Sequence, residues 1–362
     1  MSYSFLPSMS QHVVAHQSQA KMPLDALVPN DPRVEEKYFT FSDDIKYHYI
    51  LAKPAGKPTA TVLLCHGFPD LAMAWRYQVP YLLSLNLQVV VPDMLGYSKT
   101  SAPYAFEEYT LKKLSAHMAA LIKEISPDQP ILLGGHDWGG ALVWRLTRYY
   151  PELIRCVFSV CVPYWPPSPV KVSFEDFLAK APNFSYQRQL ASGEAEKIID
   201  KSPENLRGFV NGMLGGTTPD GGPAFTIEVG AIEENLPKIG PARLASPDIV
   251  DYYVQEFARH GLHGPTNWYR TRDLNGSDEE ELAKKEPNFK FKLPAMLLMA
   301  EKDGALPPRL AEGQEKYFEG PFKSELIPNS SHWAMIQCPE EVNKHIGDFL
   351  KSVLGDELKA SL

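Results

Sequence analysis

The stretch that decides the fold is Ile131-Leu132-Leu133-Gly134-Gly135-His136-Asp137-Trp138-Gly139-Gly140. An apolar run ends in glycines, turns at Asp137 and resumes as a helical pattern over 141–150, which predicts a buried strand entering a helix through a tight turn. Gly135 and Gly139 flank Asp137 because such a turn leaves no room for a Cβ on either side. The turn exposes its central side chain, so we interpret it as a nucleophile elbow carrying Asp137.

The chemistry of Asp137 differs from that of the serine found in the G-x-S-x-G form of this turn. A carboxylate attacks carbon without first losing a proton, whereas a hydroxyl needs a base. The structural alternative is an aspartate that merely caps the N-terminus of the following helix. Ten residues alone leave both interpretations open.

Length and composition predict a globular protein with a large core, because 44% of the 362 residues are hydrophobic and 22% are charged. The formal net charge is −8 and no run of Lys or Arg stands out, so neither nucleic acid nor an anionic membrane surface is an expected partner. We find no signal-peptide pattern at the start and no segment long enough to span a bilayer. Small molecules are the expected partners, and the cytosol is the expected location.

The cysteines predict buried free thiols. Cys65, Cys156, Cys161 and Cys338 form no C-x-x-C pair, and three of them lie in apolar runs, which disfavours a disulfide or a zinc site. We expect neither a metal nor another cofactor.

Buried strands alternate with helical patterns through the first part of the chain, which predicts an α/β protein with a parallel, doubly wound sheet. The clearest helix is amphipathic and spans 111–125. The strand pattern stops after Val162 and returns only at 294–299. The chain between carries helical patterns, including an amphipathic helix over 248–260, but no convincing apolar strand, and this indicates an inserted helical lid.

These patterns divide the chain into three parts. Residues 1–33 lack steady periodicity and are rich in Ser, Gln, Pro and Met, so we expect an extended arm on the surface. Residues 34–162 and 288–362 form the predicted core. Residues 163–287 form the predicted cap, and within it the glycine-rich stretch 215–223 is expected to be a flexible loop.

A second turn, His66-Gly67-Phe68-Pro69, follows the buried strand predicted over 61–65. Backbone amides after a central strand point beyond the carboxyl edge of the sheet, where open α/β sheets bind ligands. By itself this turn would be an ordinary strand exit. Together with the elbow, it predicts an oxyanion hole formed by the amides of Phe68 and Trp138.

Several motifs together resemble those of the soluble epoxide hydrolases of the α/β-hydrolase fold, and the likeness runs from about residue 35 to residue 350. The five specific motifs are His66-Gly67-Phe68-Pro69, His136-Asp137-Trp138-Gly139-Gly140, Asn267-Trp268-Tyr269-Arg270, Ala300-Glu301-Lys302-Asp303 and Ser331-His332-Trp333. Phe184-Ser185-Tyr186-Gln187 matches the family's first lid tyrosine less closely. Ser98 stands where the family commonly has a second glycine, a difference that concerns loop shape.

The resemblance implies a mostly parallel eight-stranded sheet flanked by helices, with an inserted helical cap. It also implies that an apolar epoxide and water react to give a vicinal diol through an ester on the nucleophile. The implied roles are Asp137 as nucleophile, Tyr186 and Tyr269 as lid hydrogen-bond donors, Asp303 as acid and His332 as base. Trp138, Trp268 and the two tyrosines are the expected substrate contacts. Five aromatic residues of the lid are expected to wall an apolar tunnel: Trp165, Phe174, Phe177, Phe225 and Trp268.

The residues of the C-terminal third agree with these roles. Asp303 follows a strand predicted over 295–300, so it lies at the carboxyl edge of the sheet, where an acid could orient an imidazole. The other loop that could hold an acid, after Val160, contains no carboxylate. His332 follows a strand predicted over 324–327, which gives the chain order nucleophile, acid, base that other proteins of this fold show.

Two alternative functions use the same features. Haloalkane dehalogenases also attack with an elbow aspartate, but they bind the departing halide with N–H donors, commonly a tryptophan after the nucleophile and a second Asn or Trp. Trp138 fits either family, whereas the ring of Phe68 cannot donate to a halide and a pair of tyrosines suits an oxygen leaving group better. A ligand-binding or scaffolding protein on a hydrolase fold is the third interpretation. Such proteins usually lack a triad member, whereas Asp137, Asp303 and His332 are all present.

Overall fold

The computed structural model describes residues 24–359 of the chain. Residues 1–23, most of the predicted N-terminal arm, therefore lie outside the described residues. The rest of the arm is a loop in which Leu27 is buried and Arg33 forms ion pairs with Asp25 and Asp31.

Eight of the strands in the described residues form one sheet, in the order β1-β2-β4-β3-β5-β6-β9-β10. The strands are β1 (Val34–Ser42), β2 (Ile45–Ala52), β3 (Ala60–Cys65), β4 (Leu87–Pro92), β5 (Ile131–His136), β6 (Ile154–Val160), β7 (Phe225–Thr226), β8 (Gly230–Ala231), β9 (Ala295–Ala300) and β10 (Phe322–Ile327). β2 runs antiparallel to β1 and β4, and every other neighbouring pair in the sheet is parallel. The predicted mostly parallel eight-stranded sheet is confirmed.

The elbow strand β5 lies in the interior of the sheet, between β3 and β6. Every residue of β3 and β5 is buried, as expected for strands covered on both faces. Gly134 allows close packing here, because a Cβ at this position would lie 2.2 Å from the ring of Phe158 in β6. The carboxyl ends of these parallel strands meet at one edge of the sheet, which positions the loops that follow them side by side.

Helices surround this sheet and fill the long connection between β6 and β9. They are α1 (Gln78–Ser84), α2 (Leu111–Ile125), α3 (Trp138–Tyr149), α4 (Phe174–Lys180), α5 (Gln187–Ser192), α6 (Glu194–Ile199), α7 (Pro203–Met213), α8 (Pro247–Phe257), α9 (His263–Arg270), α10 (Arg272–Lys285), α11 (Ala334–Gln337), α12 (Pro339–Leu354) and α13 (Asp356–Lys359). Helix α2 has the predicted bounds. It begins after Thr110, whose side-chain oxygen accepts a hydrogen bond from the amide of Lys113.

The chain between β6 and β9 contains α4 to α10 and the hairpin β7–β8, and none of its described residues joins the eight-stranded sheet. It contacts the loop after β4 directly. The indole N–H of Trp268 donates to the carbonyl of Leu95 at 3.0 Å, and the hydroxyl of Ser98 donates to Glu256 at 2.7 Å. The backbones of Gly96 and Gly264 also touch, since a Cβ on either would lie 2.7 Å from the other. Helices α8 and α9 are therefore held against the sheet.

Two further features bear on the predictions from composition. The four cysteines are free, with Cys65, Cys156 and Cys161 buried and Cys338 half-buried. Across residues 24–359, we find no helix with the length and apolar character that a membrane crossing requires.

Candidate active site

Asp137 occupies the turn between β5 and α3 with φ 51° and ψ −125°, a strained conformation for a residue with a side chain. A Cβ at Gly135 would lie 2.3 Å from the carbonyl oxygen of Gly139, and one at Gly139 would lie 2.2 Å from that of Cys65. Only glycine fits at these two positions. The carboxylate of Asp137 makes no capping hydrogen bond to α3, so the interpretation of Asp137 as a simple helix cap is wrong.

The two oxygens of the Asp137 carboxylate have different partners. The amide of Phe68 donates to Oδ1 at 2.8 Å, and Nε2 of His332 lies 3.5 Å from Oδ2. Gly67 permits this approach, because a Cβ there would lie 2.3 Å from Oδ1. Within the described residues the amide of Trp138, which begins α3, makes no hydrogen bond to this carboxylate. The structure therefore gives Asp137 one of the two expected amide contacts.

His332 joins the acid and the nucleophile. Its Nδ1–H donates to Oδ2 of Asp303 at 2.8 Å, while its Nε2 faces Asp137. The other oxygen of Asp303 accepts the amides of Ala305 and Leu306, each at 2.9 Å. Asp303 is thus fixed on the loop after β9, and the structure brings together the three residues that the chain order predicts.

The charges of Asp137, Asp303 and His332 explain the pKa shifts of these three side chains. Burial raises the pKa of the Asp137 carboxyl, but the hydrogen bond and positive charge of His332 outweigh burial and hold that pKa below its usual value. The pKa of Asp303 is lowered in the same way, against burial, by the charge of His332. Burial lowers the pKa of His332, yet the charge of Asp303 and the hydrogen bond to Asp137 raise it well above 6.5. The two carboxylates therefore favour the protonated form of the His332 ring that lies between them.

We expect the pKa of the His332 ring to be lower in an Asp137→Asn variant than in the unchanged protein. The amide removes one of the two negative charges that favour the imidazolium and leaves burial, which favours the neutral ring. The measurement is an NMR titration of the imidazole resonances. Glu301→Gln, which removes an exposed carboxylate on the loop before Asp303, is the control, and an unchanged His332 pKa in Asp137→Asn would contradict the assigned contact.

Tyr186 and Tyr269, from the chain between β6 and β9, are both buried close to this group, with 8% and 6% of their surface exposed. Their rings are 6.2 Å apart. Tyr269 lies edge-on to both Trp138 and Phe68, at 5.2 Å and 5.3 Å between centroids. Burial raises the pKa of both phenols, and the charge of Asp137 adds to it, so both remain protonated donors near the nucleophile.

The other predicted aromatic residues separate into two groups. Trp268 lies 6.0 Å from Trp138, the residue after the nucleophile, and Phe225 lies 5.5 Å from Tyr186. The remaining three have recorded contacts or exposure away from those residues: Phe177 stacks on Phe184, Phe174 lies under Arg272, and Trp165 is 40% exposed. An apolar tunnel walled by all five stays a prediction.

Sequence reasoning missed the contact of His136 with the base. Nε2 of His136 donates to the backbone carbonyl of His332 at 2.9 Å, and the Cys161 thiol lies 3.6 Å from the same oxygen. Burial and the charge of His332 lower the pKa of His136 to about 4, so it stays neutral and holds the His332 backbone. His136 directly precedes the nucleophile in the motif, but nothing local indicates a partner 196 residues away.

These same residues form the one group of potential metal ligands found among the described residues. Side-chain ligand atoms of His136, Cys161 and His332 lie within 4.8 Å of one another. A metal held there would compete with the hydrogen bonds that His332 makes to Asp303 and that His136 makes to the His332 carbonyl. Burial also raises the pKa of the Cys161 thiol well above its usual value, which opposes the thiolate that a metal prefers.

Comparison with known proteins gives one consistent result. A family model described as the alpha/beta hydrolase fold matches residues 60–199. The chain is 50% identical over 342 residues to "Epoxide hydrolase srdG" of Neurospora crassa, covering 92% of this chain and all of that protein. It is 32% identical to the "Bifunctional epoxide hydrolase 2" of Rattus norvegicus, covering 90% of this chain and 56% of that longer protein.

Solved structures agree with the sequence relatives. The crystal structure of Epoxide Hydrolase A from Mycobacterium thermoresistibile matches with a TM-score of 0.73 and 29% identity, covering 88% of this chain and 98% of the other. An epoxide hydrolase from Vigna radiata matches with a TM-score of 0.75 and 26% identity over the same shares.

Proposed function

The chain belongs to the epoxide hydrolase family of the α/β-hydrolase fold, and from this premise we propose that it opens epoxides to vicinal diols through an ester on Asp137. The observation that carries the mechanism is the position of the Asp137 carboxylate, between the imidazolium of His332 and two buried phenols. We assign residues 163–287 as the cap that brings those phenols over the nucleophile. The substrates are an apolar epoxide and water.

The first step is attack by Asp137 on an epoxide carbon. Oδ2 is the oxygen that forms the new C–O bond, because Oδ1 is already engaged by the Phe68 amide. The ring C–O bond breaks, and its oxygen leaves as an alkoxide that takes a proton from Tyr186 or Tyr269. Two buried donors stabilise that developing charge, since their preorganised hydrogen bonds act at low local dielectric.

The second step is hydrolysis of the ester. Water attacks the ester carbonyl carbon while the neutral ring of His332 takes a proton from it, and Asp303 stabilises the imidazolium that results. Oδ1 is now the carbonyl oxygen, so negative charge develops on the atom that the Phe68 amide already contacts. Collapse of this intermediate breaks the bond to the substrate. The departing oxygen takes the remaining proton of the attacking water, so the diol leaves and the carboxylate is restored.

Ester formation also prepares the base. In the resting site the hydrogen bond and charge of Asp137 help to keep His332 protonated. Esterification makes Asp137 neutral, so the pKa of His332 falls and the ring can release a proton, which restores the phenol that was deprotonated in the first step. We infer that the first step switches His332 from a cation that neutralises the nucleophile to a base that activates water.

Tyr186→Phe and Tyr269→Phe should each slow the first step by about 10- to 100-fold, because each removes one donor to the departing oxygen. The double variant should lose more than either single variant. Stopped-flow tryptophan fluorescence on mixing with styrene oxide measures this step. Tyr104→Phe, which changes a tyrosine that is 82% exposed, is the matched control, and full activity of the double variant would overturn the assigned role of the phenols.

Diol and halide release distinguish the proposal from dehalogenation. Trp268 has no N–H to offer a halide, because its indole donates to the carbonyl of Leu95. We therefore expect diol from styrene oxide, measured by chromatography, and no chloride from 1-chlorohexane. Chloride release without diol would make the protein a dehalogenase, and stoichiometric epoxide binding without turnover would make it a binding protein.

A further inference from the structure

A cleft remote from Asp137 lies where the two connections between the sheet and the cap run side by side. Residues 164–169 lead from β6 into the cap, and residues 283–290 lead back towards β9. With Lys316 and Tyr317 they enclose about 450 Å³, within the size range of small-molecule sites. Neither the triad nor the two catalytic tyrosines line this cleft, which we call the connector cleft.

Arg148, in the last turn of α3, lines the connector cleft and carries a buried charge. Its Nη1 donates to the hydroxyl of Tyr164 at 2.8 Å, its Nη2 donates to the carbonyl of Glu286 at 3.1 Å, and its guanidinium lies over the ring of Phe289. All these partners are neutral groups. The Arg148 side chain is 2% exposed, and its buried Nε–H has no hydrogen-bond partner among the described residues.

Arg148 has one acidic partner, with which it forms a long and partly exposed ion pair. The carboxylate of Glu286 lies 3.7 Å away, beyond hydrogen-bond distance, and that side chain is 41% exposed. Solvent screens the exposed Glu286 carboxylate, so part of the Arg148 charge remains to attract an anion in the cleft.

The remaining charges of the connector cleft are also mostly positive. Lys284, Lys290 and Lys316 line it, and Glu286 is the one acidic residue among the lining side chains. Lys284 bonds to Glu280, but Lys290 and Lys316 make no ion pair within residues 24–359. This local excess of positive charge occurs in a chain whose net charge is −8, so it attracts anions where most of the surface repels them.

Apolar groups supply the rest of the lining. Pro166, Pro167 and the rings of Tyr164, Phe289 and Tyr317 face the same space as the cations. A ligand that contacts both the cations and the apolar groups must have an anionic head and an apolar body. We propose that the connector cleft binds a small amphiphilic organic anion, a carboxylate or a phosphate ester, whose head contacts the exposed lysines beside the buried Arg148. A bound ligand would join the two connections and hold the cap on the sheet.

Isothermal titration calorimetry on the full chain tests the ligand class. The probes are octanoate, octyl phosphate, 1-octanol and inorganic phosphate. Octanoate and octyl phosphate should bind at least about tenfold more tightly than the other two probes, because only they combine charge and apolar surface. Equal binding of octanoate and 1-octanol, or no octanoate binding up to about 10 mM, would overturn the proposal.

A pair of double variants tests the location. Lys290→Glu with Lys316→Glu reverses two exposed charges without touching Arg148, and it should weaken octanoate binding by about tenfold or more. Lys53→Glu with Lys57→Glu makes the same change in net charge at an exposed loop remote in sequence, and it should change binding by less than about twofold. Equal effects of the two double variants would show that octanoate binds elsewhere, including the catalytic site, and would overturn the proposal.

Discussion

Asp137→Ala should lower turnover of styrene oxide by at least about 10⁴-fold, the scale on which removing a covalent nucleophile acts. The variant retains the strained turn but has no atom that can bond to the epoxide carbon. Diol formation followed by chromatography measures the loss. Asp43→Ala, which removes an exposed carboxylate from the turn between β1 and β2, should keep full activity.

The fate of heavy oxygen from water tests whether Asp137 is the nucleophile. In a single turnover with heavy-oxygen water, the oxygen that enters the diol should come from the Asp137 carboxylate and carry no label. The label should appear in Asp137 instead, because water attacks the ester carbonyl carbon and one of the two carboxylate oxygens is then derived from water. Peptide mass spectrometry locates that label. Heavy oxygen found directly in the first diol would mean that water, and not Asp137, attacks the epoxide.

The positions of most catalytic residues at one edge of the sheet can be predicted from the sequence, because these residues follow strong local patterns. Asp137, Asp303 and Phe68 each lie within three residues of the end of an apolar strand, and parallel strands bring such loops to one edge of the sheet. The helix at 111–125 is equally well marked, since a long amphipathic repeat begins after a capping threonine.

The cap is less predictable because its structure depends on contacts between distant parts of the chain. Strands β7 and β8 have two residues each, too few to show an alternation, so no sequence pattern indicates them. The helix predicted over 248–260 ends at Phe257 instead. The stretch 215–223, expected to be flexible, is held at Thr218, whose amide donates to the carbonyl of Gly222 at 2.9 Å and whose hydroxyl accepts the Gly222 amide at 2.7 Å.

The two lid tyrosines also cannot be identified from local sequence patterns. The chain has 17 tyrosines, and nothing local separates Tyr186 and Tyr269 from the rest. Their selection needs either a family resemblance or a structure, because proximity to Asp137 arises from folding α5 and α9 over the sheet. His136 is a comparable case, since its contact with His332 joins the end of β5 to the loop after β10.

His332→Gln should stop the reaction after its first step and lower steady-state turnover by about 10²- to 10⁴-fold, the usual contribution of a general base. Glutamine fills much of the same space but cannot take a proton from water. The ester on Asp137 should therefore accumulate. Intact-protein mass spectrometry should show a gain of one substrate mass per chain after mixing with styrene oxide.

The pH of this experiment matters because His332 also holds Asp137 in its ionised form. Burial raises the pKa of the Asp137 carboxyl, and the variant removes the hydrogen bond and charge that oppose burial. The trapping should therefore be carried out at about pH 8.5, so that the carboxylate stays ionised and attack can proceed. Adding Asp137→Ala to His332→Gln should abolish the mass gain. Residual diol formation by His332→Gln without any trapped ester would contradict the base role, because it would show that hydrolysis still outpaces attack when no imidazole is present.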